Sequence, residues 1–312
     1  MNRQFIIFLF LPVVFLGLLS CNNPKSNNVN ITGAFAIYPL TIKWTEEFKK
    51  DHPKEVFNIS AGGAGKGLTD VLSGAAEVGM FSRKLTDVEL QKGIWYIAVA
   101  KDAVLPTISA KNPFSKTIQT RGLTKKEFKE IFLSGKSISW GSILKNSDNN
   151  NISVFTRSDA AGAAETWASY LDSKQEKIKG IGVFGDPGLA DAVSKQPYAI
   201  GFNNAAFVYD AKTGNKNPII DVVPLDLNEN GKIDPDENFY ENSNSFLKAI
   251  ADGKYPSPPS RPLFFITKNK PTNPEIVAFL KWVLTDGQKF IKESGYVPLD
   301  NQAIQEQLNK LN

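Results

Sequence analysis

The sequence is poor in the residues that do chemistry by themselves. It holds one cysteine, Cys21, and one histidine, His52, in 312 residues. A single cysteine cannot close a disulfide within the chain and leaves no thiol pair for a metal or redox site. The lone histidine lies in the polar stretch Lys49 to Lys54 and reads as a surface residue, which argues against a histidine-centred catalytic site. Ser82 has no visible base beside it, so a serine nucleophile is not indicated and the chain is not expected to be an enzyme. Long basic runs are also missing. The net charge of +4 is spread along the chain and offers no patch for nucleic acid.

What is present begins at the N-terminus. Arg3 gives a short basic start, and Phe5 to Leu19 is nearly all apolar, short for a comfortable membrane span of about 20 residues. It closes on Leu18-Leu19-Ser20-Cys21. A small residue before a cysteine after such a run has the form of a bacterial lipoprotein signal, with 1–20 removed and Cys21 lipidated. The polar residues 21–30 are then expected to be a tether. This places the protein in the cell envelope, held to a bacterial membrane by its lipid, as a monomer.

The rest of the chain is longer than one core usually holds, so two lobes are expected. Strand-like and helix-like segments alternate, which indicates α/β layers. A helix is expected from Pro39 with Leu40, Trp44 and Phe48 on one face. Thr124 with Glu127 three residues on has the form of a capping box. Trp95 to Ala100 and Ala103 to Ser109 are apolar stretches running toward Asn112-Pro113, where the chain is expected to cross into the second lobe. Pro274 to Ser294 reads as one long amphipathic helix. The lobes are expected to be 31–105 with 266–312, and 106–265.

Three segments share one design, a strand end, a turn of small residues and a helix start. They are Thr32 to Pro39, Ser60 to Gly67 and Thr156 to Glu165. Helix starts leave N–H groups unpaired and carry partial positive charge, so each can bind an anion. The candidate ligand residues are Phe35, Ala36, Ile37, Ala64, Gly65, Ser82, Arg83, Arg157, Ala161, Gly162 and Ala163. Arg157 adds a fork matching two oxyanion oxygens. Arg157→Ala is therefore expected to lose affinity without changing the melting temperature of the free protein. Asp159 is the nearest carboxylate able to accept a ligand's proton. Its plainer role is a helix cap or a partner for Arg157.

These segments, with Glu77 to Arg83, Leu123 to Trp140 and Ala199-Ile200-Gly201-Phe202, follow in an order that resembles the phosphate-binding proteins of ABC importers. The family's corresponding motifs are G-S-x-T-V-Y-P-L, G-G-G-S-G, D-I-G-M-A-S-R and R-x-D-G-S-G-T. The resemblance implies a two-lobed type II periplasmic-binding-protein fold, with a dehydrated phosphate in the cleft and membrane permease subunits as partners. Where the family tends to carry hydroxyls, this chain has Ala34, Ala36, Ala64, Ala161 and Ala163. Sulfate, molybdate or tungstate therefore stand as alternative ligands, and a surface sensor or adhesin on the same fold as an alternative role.

One further motif is independent of that family. Asp226 to Glu237 matches the twelve-residue EF-hand loop. Asp226, Asn228 and Asn230 stand at positions 1, 3 and 5, Gly231 at 6, Lys232 at 7 through its carbonyl, Asp234 at 9 and Glu237 at 12. Val222-Val223-Pro224 before it reads as a strand end. A structural Ca2+ in an isolated loop is therefore expected, not an opening sensor.

Overall fold

The computed structural model describes residues 28–312. The signal segment and Cys21 lie outside the described residues. Asn28 to Asn30, expected in the tether, instead begin a strand, β1 (Asn28–Gly33), whose register pairs Asn28 with Val56.

The other strands are β2 (Val56–Ala61), β3 (Val78–Phe81), β4 (Ile94–Ser109), β5 (Ser153–Arg157), β6 (Ile181–Val183), β7 (Ala199–Asn204), β8 (Ile220–Val222) and β9 (Ser260–Lys268). They run in the order β2-β1-β3-β9-β4-β7-β5-β6, with β8 paired to β4. The outer pairs β1–β2, β1–β3, β5–β6 and β5–β7 are parallel, whereas β4 and β9 are antiparallel to each other. Parallel pairs need crossover helices, which explains the alternating sequence pattern. In the first such helix, Tyr38–Asp51, Leu40, Trp44 and Phe48 are all buried.

The apolar residues separate into two cores. One gathers Val29 to Ala100 with Leu263 to Leu311, and the other gathers Ala103 to Tyr255 with Val297. The division thus falls between Ala100 and Ala103 and between Tyr255 and Leu263, a few residues from the expected boundaries. The crossing is not at Asn112-Pro113. It lies within β4, a continuous 16-residue strand whose first part pairs with β9 and whose second part pairs with β7. The two apolar stretches separated by Lys101-Asp102 are one strand because Asp102 is buried opposite Arg261 of β9.

The expected long helix after Pro274 is a helix to Leu284 followed by a 3-10 segment, Asp286–Phe290. The interruption lets the Gly287 carbonyl accept from the Trp44 indole at 2.8 Å. Thr124 and Glu127 do form a capping box at the start of the helix Lys125–Leu133. His52 is exposed and stacks on Phe48, ring centroids 4.0 Å apart. Among the described residues no helix is long and apolar enough to cross a membrane.

Candidate anion-binding site

The three small-residue turns meet where the lobes face each other. The first two are locked together: Gly62 and Gly63 both donate to the Gly33 carbonyl, at 2.8 and 3.0 Å. Ala34 donates to Met80 at 2.8 Å, and the buried Tyr296 hydroxyl donates to the Ala36 carbonyl at 2.8 Å. The third turn is braced by Gln175, which donates to the Asp159 carbonyl at 2.6 Å and accepts from Ala161 at 3.2 Å. Across the lobes, Gly65 donates to the Ala160 carbonyl at 3.0 Å, and Phe35 meets Phe184 edge to face at 5.7 Å.

Two glycines permit this closeness. A Cβ at Gly162 would lie 2.1 Å from Ser82 Oγ. Gly63, at φ +92°, would place one 2.6 Å from Asp159 Oδ2. Any side chain at either position would hold the lobes apart.

The turns converge on a narrow space between the lobes. It is lined by Phe35, Ala36, Ala64, Ser82, Arg157, Ala161, Gly162 and Ala163 from among the expected residues. The backbone N–H groups of Phe35, Ala36, Ala64, Gly162 and Ala163 have no protein acceptor among the described residues. Ser82 Oγ is likewise unpaired. Backbone donors in a folded protein are ordinarily satisfied, so unpaired donors gathered around one space suit it to acceptors.

Four expected residues lie elsewhere. Ile37 is in the core of its lobe. The Gly65 amide is spent on the interlobe bond. Arg83 turns away from the cavity to pair with Glu89, at 3.0 and 2.5 Å, with its guanidinium 4.5 Å from the Phe81 ring centre. That pair, with the Thr86 cap, leaves the Glu89 carboxyl below its ordinary pKa despite the opposing effect of burial. Asp159 stands behind Arg157. Lining residues that sequence reasoning missed are Ala34, Gly63, Asp186 and Asn204. Asp186 opens the helix Gly185–Lys195, and Asn204 ends β7. Their approach depends on sheet order, which no local motif encodes.

Arg157 is not a free cation. Its Nε and Nη2 donate to both oxygens of Asp159, at 2.8 and 2.6 Å, and its Nη1 donates to Asp186. Burial works to lower its pKa, but Asp186 and Asp159 outweigh that and raise it. Two buried carboxylates outnumber one guanidinium, so the cavity draws its positive potential from backbone dipoles. Truncating Arg157 would strand both acids. The expectation that Arg157→Ala spares the free protein is therefore wrong for this geometry.

A larger groove of about 870 Å3 lies beside the cavity, lined by Arg83, Glu165, Arg261 and Phe264 among others. Its arginines are already paired, Arg83 with Glu89 and Arg261 with Asp102. It offers no comparable set of unpaired donors.

A model of the PBP superfamily domain matches residues 21–287. The chain belongs to the PBP superfamily. Relatives of this superfamily member include the phosphate-binding protein PstS of Staphylococcus epidermidis, 27% identical over 287 residues, covering 89% of this chain and 81% of that one. The PstS of Staphylococcus saprophyticus is 28% identical over 291 residues, with 89% and 82% covered. Among solved structures, a putative phosphate ABC transporter substrate-binding protein with bound phosphate from Clostridium perfringens superposes with a TM-score of 0.71. It is 21% identical, with 88% of this chain and 100% of that one covered. This structural likeness carries the two-lobed α/β fold of periplasmic binding proteins.

The Asp226–Glu237 loop lies apart from the cavity. Asp226 accepts from Asn230 and Gly231 at 3.2 and 2.8 Å. Glu237 accepts from Leu227, Asn228 and Asp234 at 3.0, 3.1 and 3.3 Å. Both acids are at least nine-tenths buried, yet neither meets a lysine or arginine among the described residues. Lys232 pairs with Asp234 instead, at 2.8 Å. No three acidic, histidine or cysteine side chains among the described residues converge as a metal-holding group. A cation here would have to use asparagine and carbonyl oxygens as well, as EF-hand loops do.

Proposed function

We propose that this PBP-superfamily chain is the substrate-binding protein of an ABC importer and captures inorganic phosphate between its lobes. It is a capture protein, not an enzyme. The observation that carries the reading is the set of five unpaired amides with Ser82 Oγ around one interlobe cavity. The PstS relatives supply the ligand class. A tetrahedral anion has acceptors on every side, which suits donors that converge from three turns. The lobes part to admit it, and its oxygens then satisfy donors that closure would otherwise leave bare.

Asp186 takes the part that the sequence offered to Asp159. Its carboxylate lines the cavity, where it favours a ligand that still carries a proton and disfavours sulfate, which carries none. Calorimetry with phosphate, sulfate, molybdate and tungstate tests the whole reading. Phosphate should bind and sulfate should not. Absence of phosphate binding would remove the proposal.

The remaining parts follow from the sequence. Cys21 is the lipid-carrying residue that anchors the protein at the membrane beside its permease subunits, and it acts as a monomer. Cys21→Ser should release a folded protein from membranes, and retention would refute the anchor. The Asp226–Glu237 loop holds a structural Ca2+. Asp226, Asn228, Asn230, Asp234, Glu237 and the Lys232 carbonyl would ligate it, and it would supply the positive charge that the two buried acids lack.

A further inference from the structure

We propose that Asn204 donates a side-chain hydrogen bond to the captured anion, and that Arg261, on β9 opposite the crossing strand, is the positioning residue that aims it. This deepens the anion-capture reading and rests on it.

Asn204 stands before the short helix Ala205–Val208, at the position where an asparagine oxygen ordinarily accepts from the first turn of the helix. Here the side chain caps nothing. Its Oδ1 accepts from Arg261 Nη2 instead, while its backbone N–H donates to Asp186 Oδ1 at 3.2 Å. The residue is 1% exposed and lines the cavity, and its Nδ2 meets no acceptor among the described residues. An amide group is flat, so gripping its oxygen on one side leaves its two N–H donors on the other. With the residue 1% exposed and lining the cavity, an acceptor for those two N–H groups would come from what the cavity holds.

Arg261 is fixed well enough to aim it. Across β4 and β9 it is the register partner of Asp102, whose Oδ2 lies 3.3 Å from its Nη2. Its Nη1 donates at 3.0 Å to Thr166 Oγ1, on the helix whose first turn supplies the Gly162 and Ala163 amides. A planar fork held by Asp102 and Thr166 transmits its position to whatever it grips. Asn204 thus restores a side-chain donor to a cavity whose Ala36, Ala64, Ala161 and Ala163 offer none.

Phosphate calorimetry on the purified protein and variants, each with a melt of the free form, tests this. Asn204→Ala should lose roughly 10- to 100-fold in phosphate affinity, the range for a hydrogen bond to a charged group. Asn204→Asp keeps the oxygen that Arg261 grips but turns the donor into an acceptor. It should lose at least as much while melting like wild type, and it carries the test should the alanine variant not fold. Arg261→Met should cost affinity in the wild-type background, Arg261→Lys should recover part of it, and neither should matter once Asn204 is alanine. Wild type binding phosphate with Asn204→Ala and Asn204→Asp binding equally well would overturn the inference and leave phosphate capture standing. Wild type failing to bind would remove both.

Discussion

In the interlobe cavity, five backbone N–H groups and Ser82 Oγ have no acceptor among the described residues. In the Asp226–Glu237 loop, the buried Asp226 and Glu237 carboxylates accept from backbone N–H groups alone and pair with no lysine or arginine among the described residues. Three other buried carboxylates among the described residues have a guanidinium partner. Glu89 has Arg83, Asp102 has Arg261, and Asp186 has Arg157. The contrast shows which polar groups the chain satisfies from its own residues and which it leaves for something outside. Donor-rich turns built of alanine and glycine await an anion, and a loop of acids and amides awaits a cation.

The largest effect should come from breaking a self-satisfied cluster. Arg157→Ala leaves Asp159 and Asp186 buried without their cation, and should cost about 3–5 kcal/mol of unfolding free energy as well as anion affinity. Denaturant melts without phosphate would show it. An unchanged midpoint would mean that those carboxylates find other partners and that the line between satisfied and unsatisfied clusters is misdrawn.

Asp102 sharpens the comparison from the other side. Burial raises its carboxyl from 3.8 to about 6, against the pull of Arg261 and the Ala103 amide and with help from Asp186. The folded state therefore holds this proton more tightly than the unfolded state. The stability this provides is complete below about pH 4 and is lost as pH rises through about 6. Asp102→Asn cannot titrate. Its stability relative to wild type should rise across that window, by up to about 3 kcal/mol. Parallel profiles between pH 4 and 7 would place Asp102 among ordinary carboxylates.

The loop should answer to metal. With calcium at about 100 times its dissociation constant, stabilisation is about 2.7 kcal/mol. Chelator should lower the melting temperature accordingly, and Glu237→Gln should make the protein indifferent to chelator. Identical melts with calcium and with chelator would mean that the backbone N–H groups alone satisfy Asp226 and Glu237. The smallest effect belongs to a site in neither class: Thr124→Ala should cost about 1 kcal/mol through its cap and leave anion and calcium responses untouched.

Features that depend on a few neighbouring residues were legible in the sequence. The Thr124 capping box, the buried face of the Tyr38–Asp51 helix and the three small-residue turns are each spelled out within about ten positions. The crossing strand was not legible, because Lys101-Asp102 looks like a polar break until Arg261 is seen opposite. Asp186 and Asn204 were missed for the same reason. One opens a helix and the other ends a strand, and only the sheet order carries both to the cavity. Arg157 was identified as a lining residue, but its two carboxylates were not foreseen together, since Asp186 lies 29 residues away.

The crossing strand also sets an order of assembly. Apart from Val297, every core residue of the lobe that contains Arg157 has been synthesised once Tyr255 is made. The other lobe, although begun first, lacks its central β9 and the helices after Pro274 until the chain is nearly finished. Chain growth therefore favours completion of the inserted lobe while the lobe holding both ends remains open. The half begun first is completed last, so a truncation near the C-terminus should spare one core and abolish the other.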